Sequence, residues 1–154
     1  MTEKDIIAFV TGLPGVAVLT AGPENGAPEV AWGDSFFYYD PDGDAPAARR
    51  LPFATIVVKD YPGFDTASDL NRPGVFRLNI AAGRAEFTKT LGYPPEAHPE
   101  HHAAIDCTVT DRFLPHPVYA AQAWPAVLNP GPATAEQARA LLRTAHARAV
   151  ARHR

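Results

Sequence analysis

"VFRLNI", residues 75–80, decides how the chain is read. Apolar and polar side chains alternate along it, the period of an extended strand with two unlike faces. Phe76, Leu78 and Ile80 fall on one side, and Val75, Arg77 and Asn79 on the other. The all-apolar side belongs against a helix-covered core. The other side carries a cation and an amide, which on an ordinary antiparallel sheet would meet water. Upstream, Phe53 to Asp60 is a second strand, rich in β-branched residues and closed by the charged pair Lys59-Asp60. Only a short connection separates the two, so they are expected close together in one sheet. Within it, "TASDLN" (66–71) reads as a helical turn that Pro73 and Gly74 end.

Working outward, Val30 to Tyr39 reads as a strand interrupted at Gly33, and Val16 to Thr20 as a short β-branched strand. Asn25-Gly26 between them is a hairpin signal. Thr2-x-x-Asp5 is a helix start, followed by Ile6, Phe9, Val10 and Leu13 at helical spacing until Pro14-Gly15. On the other side, Gly83 to Gly92 predicts a short helix, and "PPEAHPEHHAAI" a turn or two. Strands are expected within 107–114 and 117–128, with Pro125 arguing for an edge or a bulge. The last helix opens on a Thr134-x-x-Gln137 capping box and carries one apolar stripe: Ala138, Leu141, Leu142, Ala145 and Ala149. This order predicts α+β: two layers, a largely antiparallel sheet, and N- and C-terminal helices on one face, in a single globular domain over 1–154. Ile6, Phe9, Val10, Leu13, Leu141 and Leu142 should be buried.

The chain has 154 residues, 46% of them hydrophobic and 20% charged, enough for one core and against wholesale disorder. A net charge of −3 gives no footprint for nucleic acid, which is not an expected partner. The lone Cys107 excludes an internal disulfide. No basic, apolar leader opens the chain and no run reaches the ~20 apolar residues that span a bilayer, so the expected setting is cytoplasmic, away from membranes. The expected state is a monomer or weak homodimer.

Candidate sites each meet a plainer reading. Asp40-Pro-Asp42-Gly-Asp44 imitates a calcium loop, but Ala45 stands where the glycine is required and Leu51 where the bidentate Glu is required. A solvated turn is preferred. His98, His101 and His102, with Glu96 and Glu100, are the densest set of potential metal ligands. Pro99 is expected to start that helix and so to leave His98 outside it, breaking the i, i+4 pair that zinc would need. No metal and no cofactor are expected. Cys107 beside Asp106 is read as a small buried strand residue rather than a nucleophile. The basic run Arg139, Arg143, Arg148, Arg152, His153 and Arg154 suits the negative end of a helix dipole. No serine elbow, phosphate loop or dinucleotide glycine pattern occurs.

"AWGDSFFYYDPDGD", "PFATIVVKDYPGFDTASDLNRPGVFRLNI", "HPVYAAQAW" and "LNPG" are distinctive strings spread between residues 31 and 131. They resemble an uncharacterised bacterial family of domain-of-unknown-function proteins. More distantly, the order of elements is similar to YjbR/MmcQ-like proteins, although the late His-Trp pair of that family is Ala123-Trp124 here. The resemblance implies a compact two-layer fold with helices against an antiparallel sheet. It brings no activity and no catalytic residue.

Three functions compete. The first is a small polar or anionic ligand held by Trp32, Lys59, Arg77, Asn79, Tyr119, Gln122 and Trp124, because aromatic walls with a few directional groups make a pocket. The second is acid–base catalysis by Asp34, Lys59, Asp60, Asp65 or His116. The third is an interaction module built on the arginine-rich last helix. Ligand binding is placed first. Against it stands a structural role for Arg77, in a buried charge pair with Asp34 or Asp60.

Overall fold

The computed structural model describes residues 1–45 and 50–153. Residues 46–49, inside the expected loop "DPDGDAPAARR", and Arg154 of the basic run lie outside them. Helix α1 (Glu3–Thr11) begins as the sequence demands: the Thr2 hydroxyl accepts from the Asp5 N–H at 3.1 Å, and the Asp5 carboxylate accepts from the Thr2 N–H at 2.9 Å. It stops short of Leu13, so Ile6 and Val10 are buried while Phe9 and Leu13 are only half-buried. Arg143 instead lies over the Phe9 ring, 5.1 Å from its centre.

Six strands follow, β1 (Val16–Thr20), β2 (Ser35–Tyr39), β3 (Ala54–Val57), β4 (Arg77–Ile80), β5 (Phe113–Pro115) and β6 (Pro125–Leu128). They form one sheet in the order β1-β2-β3-β4-β6-β5, every pair antiparallel. Helix α2 (Arg84–Leu91) is bounded by Gly83 and Gly92, and α3 (His98–His101) is short. Helix α4 (Ala135–His153) closes the chain. Its stripe Ala138, Leu141, Leu142, Ala145 and Ala149 joins Ile6, Val10, Phe37, Leu78 and Ile80 in the main core. Both terminal helices therefore cover the apolar face of β4. The fold is α+β with a two-layer core, and each fully buried Leu, Ile or Phe contributes about 1.5–3 kcal/mol of transfer free energy.

The α4 entrance departs from the capping box. Asp111, at φ 54°, accepts from the N–H groups of Gly131, Ala133 and Thr134 at 2.8–3.1 Å. The Thr134 hydroxyl donates to the same carboxylate at 2.7 Å, and Gln137 reaches Thr90 instead. A carboxylate 23 residues upstream takes over the local cap.

Several extended readings shorten. In 30–39 only 35–39 is strand; Glu29–Ala31 is a 3-10 turn held by the Trp32 N–H to the Glu29 carbonyl. Residues 66–71 are turns without a helix, and Cys107 sits half-buried in a turn rather than a strand. In 117–128 only the last four residues pair, while Ala120–Gln122 forms a 3-10 turn. Pro125 opens an interior strand, not an edge one, because the first position of a strand can lack its N–H. His98 lies within α3 and its carbonyl accepts from the His102 N–H, so the i, i+4 relation survives Pro99. The rings of His98 and His102 approach to 3.4 Å between Nε2 and Nδ1. Among the described residues no three His, Cys, Asp or Glu side chains gather as a metal site. None of the described helices is long and apolar enough to cross a membrane.

Candidate functional site

The second face of the sheet is built by register. Arg77 pairs with Val57 and Leu128, and Asn79 with Thr55 and Ala126; Thr55 in turn lies opposite Phe36. Period-2 alternation sends all these side chains away from α1 and α4. At Arg77 and Asn79 this face does not meet water. The segment 58–75 folds across it, and Val57, Leu70, Leu114 and Leu128 form a second apolar cluster there. Arg77 is 1% exposed and Asn79 1%.

The buried cation is matched by Asp65, whose two oxygens face Nη1 at 3.2 Å and Nη2 at 2.5 Å. This corrects the expected partners. Asp60 instead accepts from the Leu70 N–H, at the base of the covering segment. Asp34 accepts from the Val58 N–H and the Tyr61 hydroxyl. Arg77 also donates to Ser68 at 2.8 Å and from Nε to Asn79 at 2.7 Å, and Asn79 passes a bond to Thr55 at 3.0 Å. Asp65, Arg77, Asn79 and Thr55 thus form one connected polar ladder on a sheet, the arrangement that makes a buried charge tolerable.

Above the ladder lies a cavity of about 470 Å³. Its floor is Thr55, Asp65, Arg77, Asn79 and His116; its walls are Phe36, Val57, Tyr61, Tyr119 and Trp124. Leu51 and Phe64 stand at its edge, 71% and 58% exposed, and Tyr119 is 41% exposed. Three of the five exposed large apolar side chains among the described residues therefore border this one opening. A patch of that kind, around a concave polar floor, is what a binding site exposes.

The loop 116–124 supplies the far wall. The His116 N–H donates to the Trp124 carbonyl at 2.9 Å, and Ala123 takes a left-handed φ of 65° to turn the chain back. His116 packs between Tyr119 and Trp124, with ring centres 4.8 and 6.4 Å away. Burial, and then the Arg77 charge, push its pKa down to about 3, so the ring is neutral at ordinary pH. Burial raises the Asp34 carboxyl despite the bonds from Tyr61 and Val58. Burial, followed by the bond to Asp34, raises the Tyr61 hydroxyl. Cys107 is likewise raised, chiefly by burial.

Of the residues singled out from sequence, Arg77, Asn79, Tyr119 and Trp124 come together around this cavity. Trp32 and Lys59 do not line it. The Trp32 indole donates to the Ala27 carbonyl at 2.9 Å, and the Lys59 ammonium bonds the Trp32 carbonyl, so both fix the turn before β2. Gln122 is exposed on the 3-10 turn. Sequence reasoning overlooked Phe36 and Thr55, which the alternation of β2 and β3 would have placed beside Asn79 once the strand order was known. Tyr61, Phe64 and Ser68 carried no local signal. A second depression, about 720 Å³ and more open, runs past Lys59, Arg72 and Pro130. Its cations are taken up by backbone carbonyls: Arg72 by Ser68 and Thr108, Lys59 by Trp32, the N-terminal ammonium by Pro130. It offers a ligand less.

No curated protein and no solved structure matches the chain. A family of unknown function, DUF6194, matches it over residues 1–154, and the chain belongs to that family.

Proposed function

We propose that this protein binds a small polar molecule in the cavity over the Arg77–Asn79 ladder. One observation carries the reading: a floor of directional groups, nine-tenths or more buried at Arg77, Asn79 and His116, opens between exposed aromatic side chains. A plain structural ion pair would need no such opening. Arg77, Asn79, Tyr119 and Trp124 are the residues of the original set that the proposal retains. Proton transfer is the weaker reading. His116 is held neutral, Asp65 is committed to Arg77, and Asp34 lies behind Tyr61. An interaction role for α4 is also weaker, because Arg148 donates to the Ala81 carbonyl at 2.8 Å and Arg143 covers Phe9. A cytoplasmic, monomeric or weakly dimeric binding protein belongs to the same proposal. The YjbR-like reading rests on the order of elements alone.

Thermal-shift screening against a panel of neutral and acidic metabolites tests the proposal. A ligand at 100 times its Kd adds about 2.7 kcal/mol, or several degrees of Tm in a chain of this size. The shift should vanish in Trp124→Ala and persist in Gln122→Ala, which lies outside the cavity. Hits that bind both variants equally, or no hits at all, contradict it.

A further inference from the structure

Arg77 has five guanidinium hydrogens. Four are engaged: Nε by Asn79, both on Nη1 by Asp65 and Ser68, and one on Nη2 by Asp65. The fifth, on Nη2, faces His116 Nε2 at 3.4 Å. That approach would be a hydrogen bond only if Nε2 carried the ring's lone pair. The other side of the ring decides the matter. His116 Nδ1 lies 3.0 Å from the backbone N–H of Val118 and 3.0 Å from that of Tyr119. Both are donors, so Nδ1 must accept, and a neutral imidazole then keeps its hydrogen on Nε2. Two N–H groups, from Arg77 and His116, consequently face each other with no acceptor between them. Both side chains are almost wholly buried and both floor the cavity.

Resting on the binding reading above, we infer that the cavity recognises an uncharged carbonyl-type oxygen on an aromatic or apolar body, the oxygen accepting jointly from Arg77 Nη2 and His116 Nε2. An oxygen on the cavity side of that contact, off the line between the two nitrogens and within about 3 Å of each, supplies the acceptor both donors lack, and the body stacks among Phe36, Tyr119 and Trp124. The charge on the floor decides between a neutral oxygen and a carboxylate. Arg77 already holds Asp65 at 2.5 Å, and His116 adds no charge. An entering carboxylate would lose its hydration with no unmatched cation to receive it, and would sit near Asp65.

Two measurements on the wild-type protein test this. The first needs no ligand: a long-range proton–nitrogen correlation spectrum of the imidazole ring at neutral pH. It should show His116 neutral with the hydrogen on Nε2, and a hydrogen on Nδ1 would overturn the inference while leaving the pocket standing. The second titrates acetophenone, benzoate and ethylbenzene, three arenes of similar size, and follows the Trp124 indole and His116 ring signals. Acetophenone should bind at least about tenfold tighter than ethylbenzene, since its oxygen takes one hydrogen bond from a charged donor and one from a neutral donor, and tighter than benzoate. His116→Asn, whose side-chain oxygen can still accept from Val118 and Tyr119, should erase the preference over ethylbenzene. Equal binding of acetophenone and ethylbenzene, or benzoate binding best, overturns the oxygen assignment alone. Failure of all three arenes to shift the cavity signals overturns the binding reading together with it.

Discussion

Arg77 is the largest of the fully buried side chains among the described residues, and only Asp65 balances its charge. Taking one partner away strands the other in a dry interior. Asp65→Asn should therefore cost about 3–5 kcal/mol in urea denaturation, and Asp65→Leu with Arg77→Met should recover part of that. A loss under about 1 kcal/mol would place the pair in the class of exposed ion pairs, against its burial. His116 supplies the pH dependence. Its folded pKa, near 3, lies below the ordinary histidine value of 6.5. Below about pH 6.5 the unfolded chain takes up a proton that the folded chain refuses, so the His116 contribution is whole above that pH and drains away as the pH falls towards 3. At ~1.4 kcal/mol per pKa unit the loss reaches at most about 5 kcal/mol. Urea midpoints of wild type and His116→Asn, taken from pH 7 to pH 4, should converge on acidification. Parallel curves would show that the imidazole titrates normally. Arg77 was legible in the sequence as a polar residue on the side of an alternating strand opposite the helix-covered core, a side expected to meet water; its burial was not. Its partner was not, because Asp65 lies in a turn whose path over the sheet has no local code.

At the scale of elements, the ends of α1 and α4 are fixed by different means. Thr2 and Asp5 cap α1 within four residues of chain, so that start could be read directly. The same logic at Thr134 and Gln137 fails because Asp111, from the turn before β5, takes both the N–H and the hydroxyl of Thr134. The hydroxyl of Thr134, and then the Gly131 N–H, hold the Asp111 carboxyl below its ordinary pKa. Asp111→Ala should lower Tm by more than Gln137→Ala, since it removes four acceptor contacts and puts alanine at φ 54°. The reverse order of Tm losses would restore the local capping box. The strands show the same division. Val16–Thr20 appears where its β-branched run lies, whereas 117–124 yields to a 3-10 turn that Ala123 reverses with a left-handed φ.

At the scale of the whole molecule, one six-stranded sheet runs from β1 at one edge to β5 at the other, with the first and last helices on one face and the segment 58–75 on the other. The single-domain reading predicts one cooperative thermal transition, seen alike by far-ultraviolet dichroism and tryptophan fluorescence. Adding EDTA should leave its midpoint in place, since a structural zinc would be worth on the order of 10 kcal/mol; a large drop would turn attention to His98 and His102. The sequence by itself determined the α+β class, the helix stripe of α4 and which side of β4 carries Arg77 and Asn79, because periodicity and composition act over neighbouring residues. Only the tertiary structure decided that Asp65 pairs with Arg77, that Trp32 and Lys59 brace a turn, and that His116 joins Tyr119 and Trp124 around a cavity. Those outcomes depend on loop paths and on contacts between residues tens of positions apart. No local propensity specifies them; the closing of the second face does.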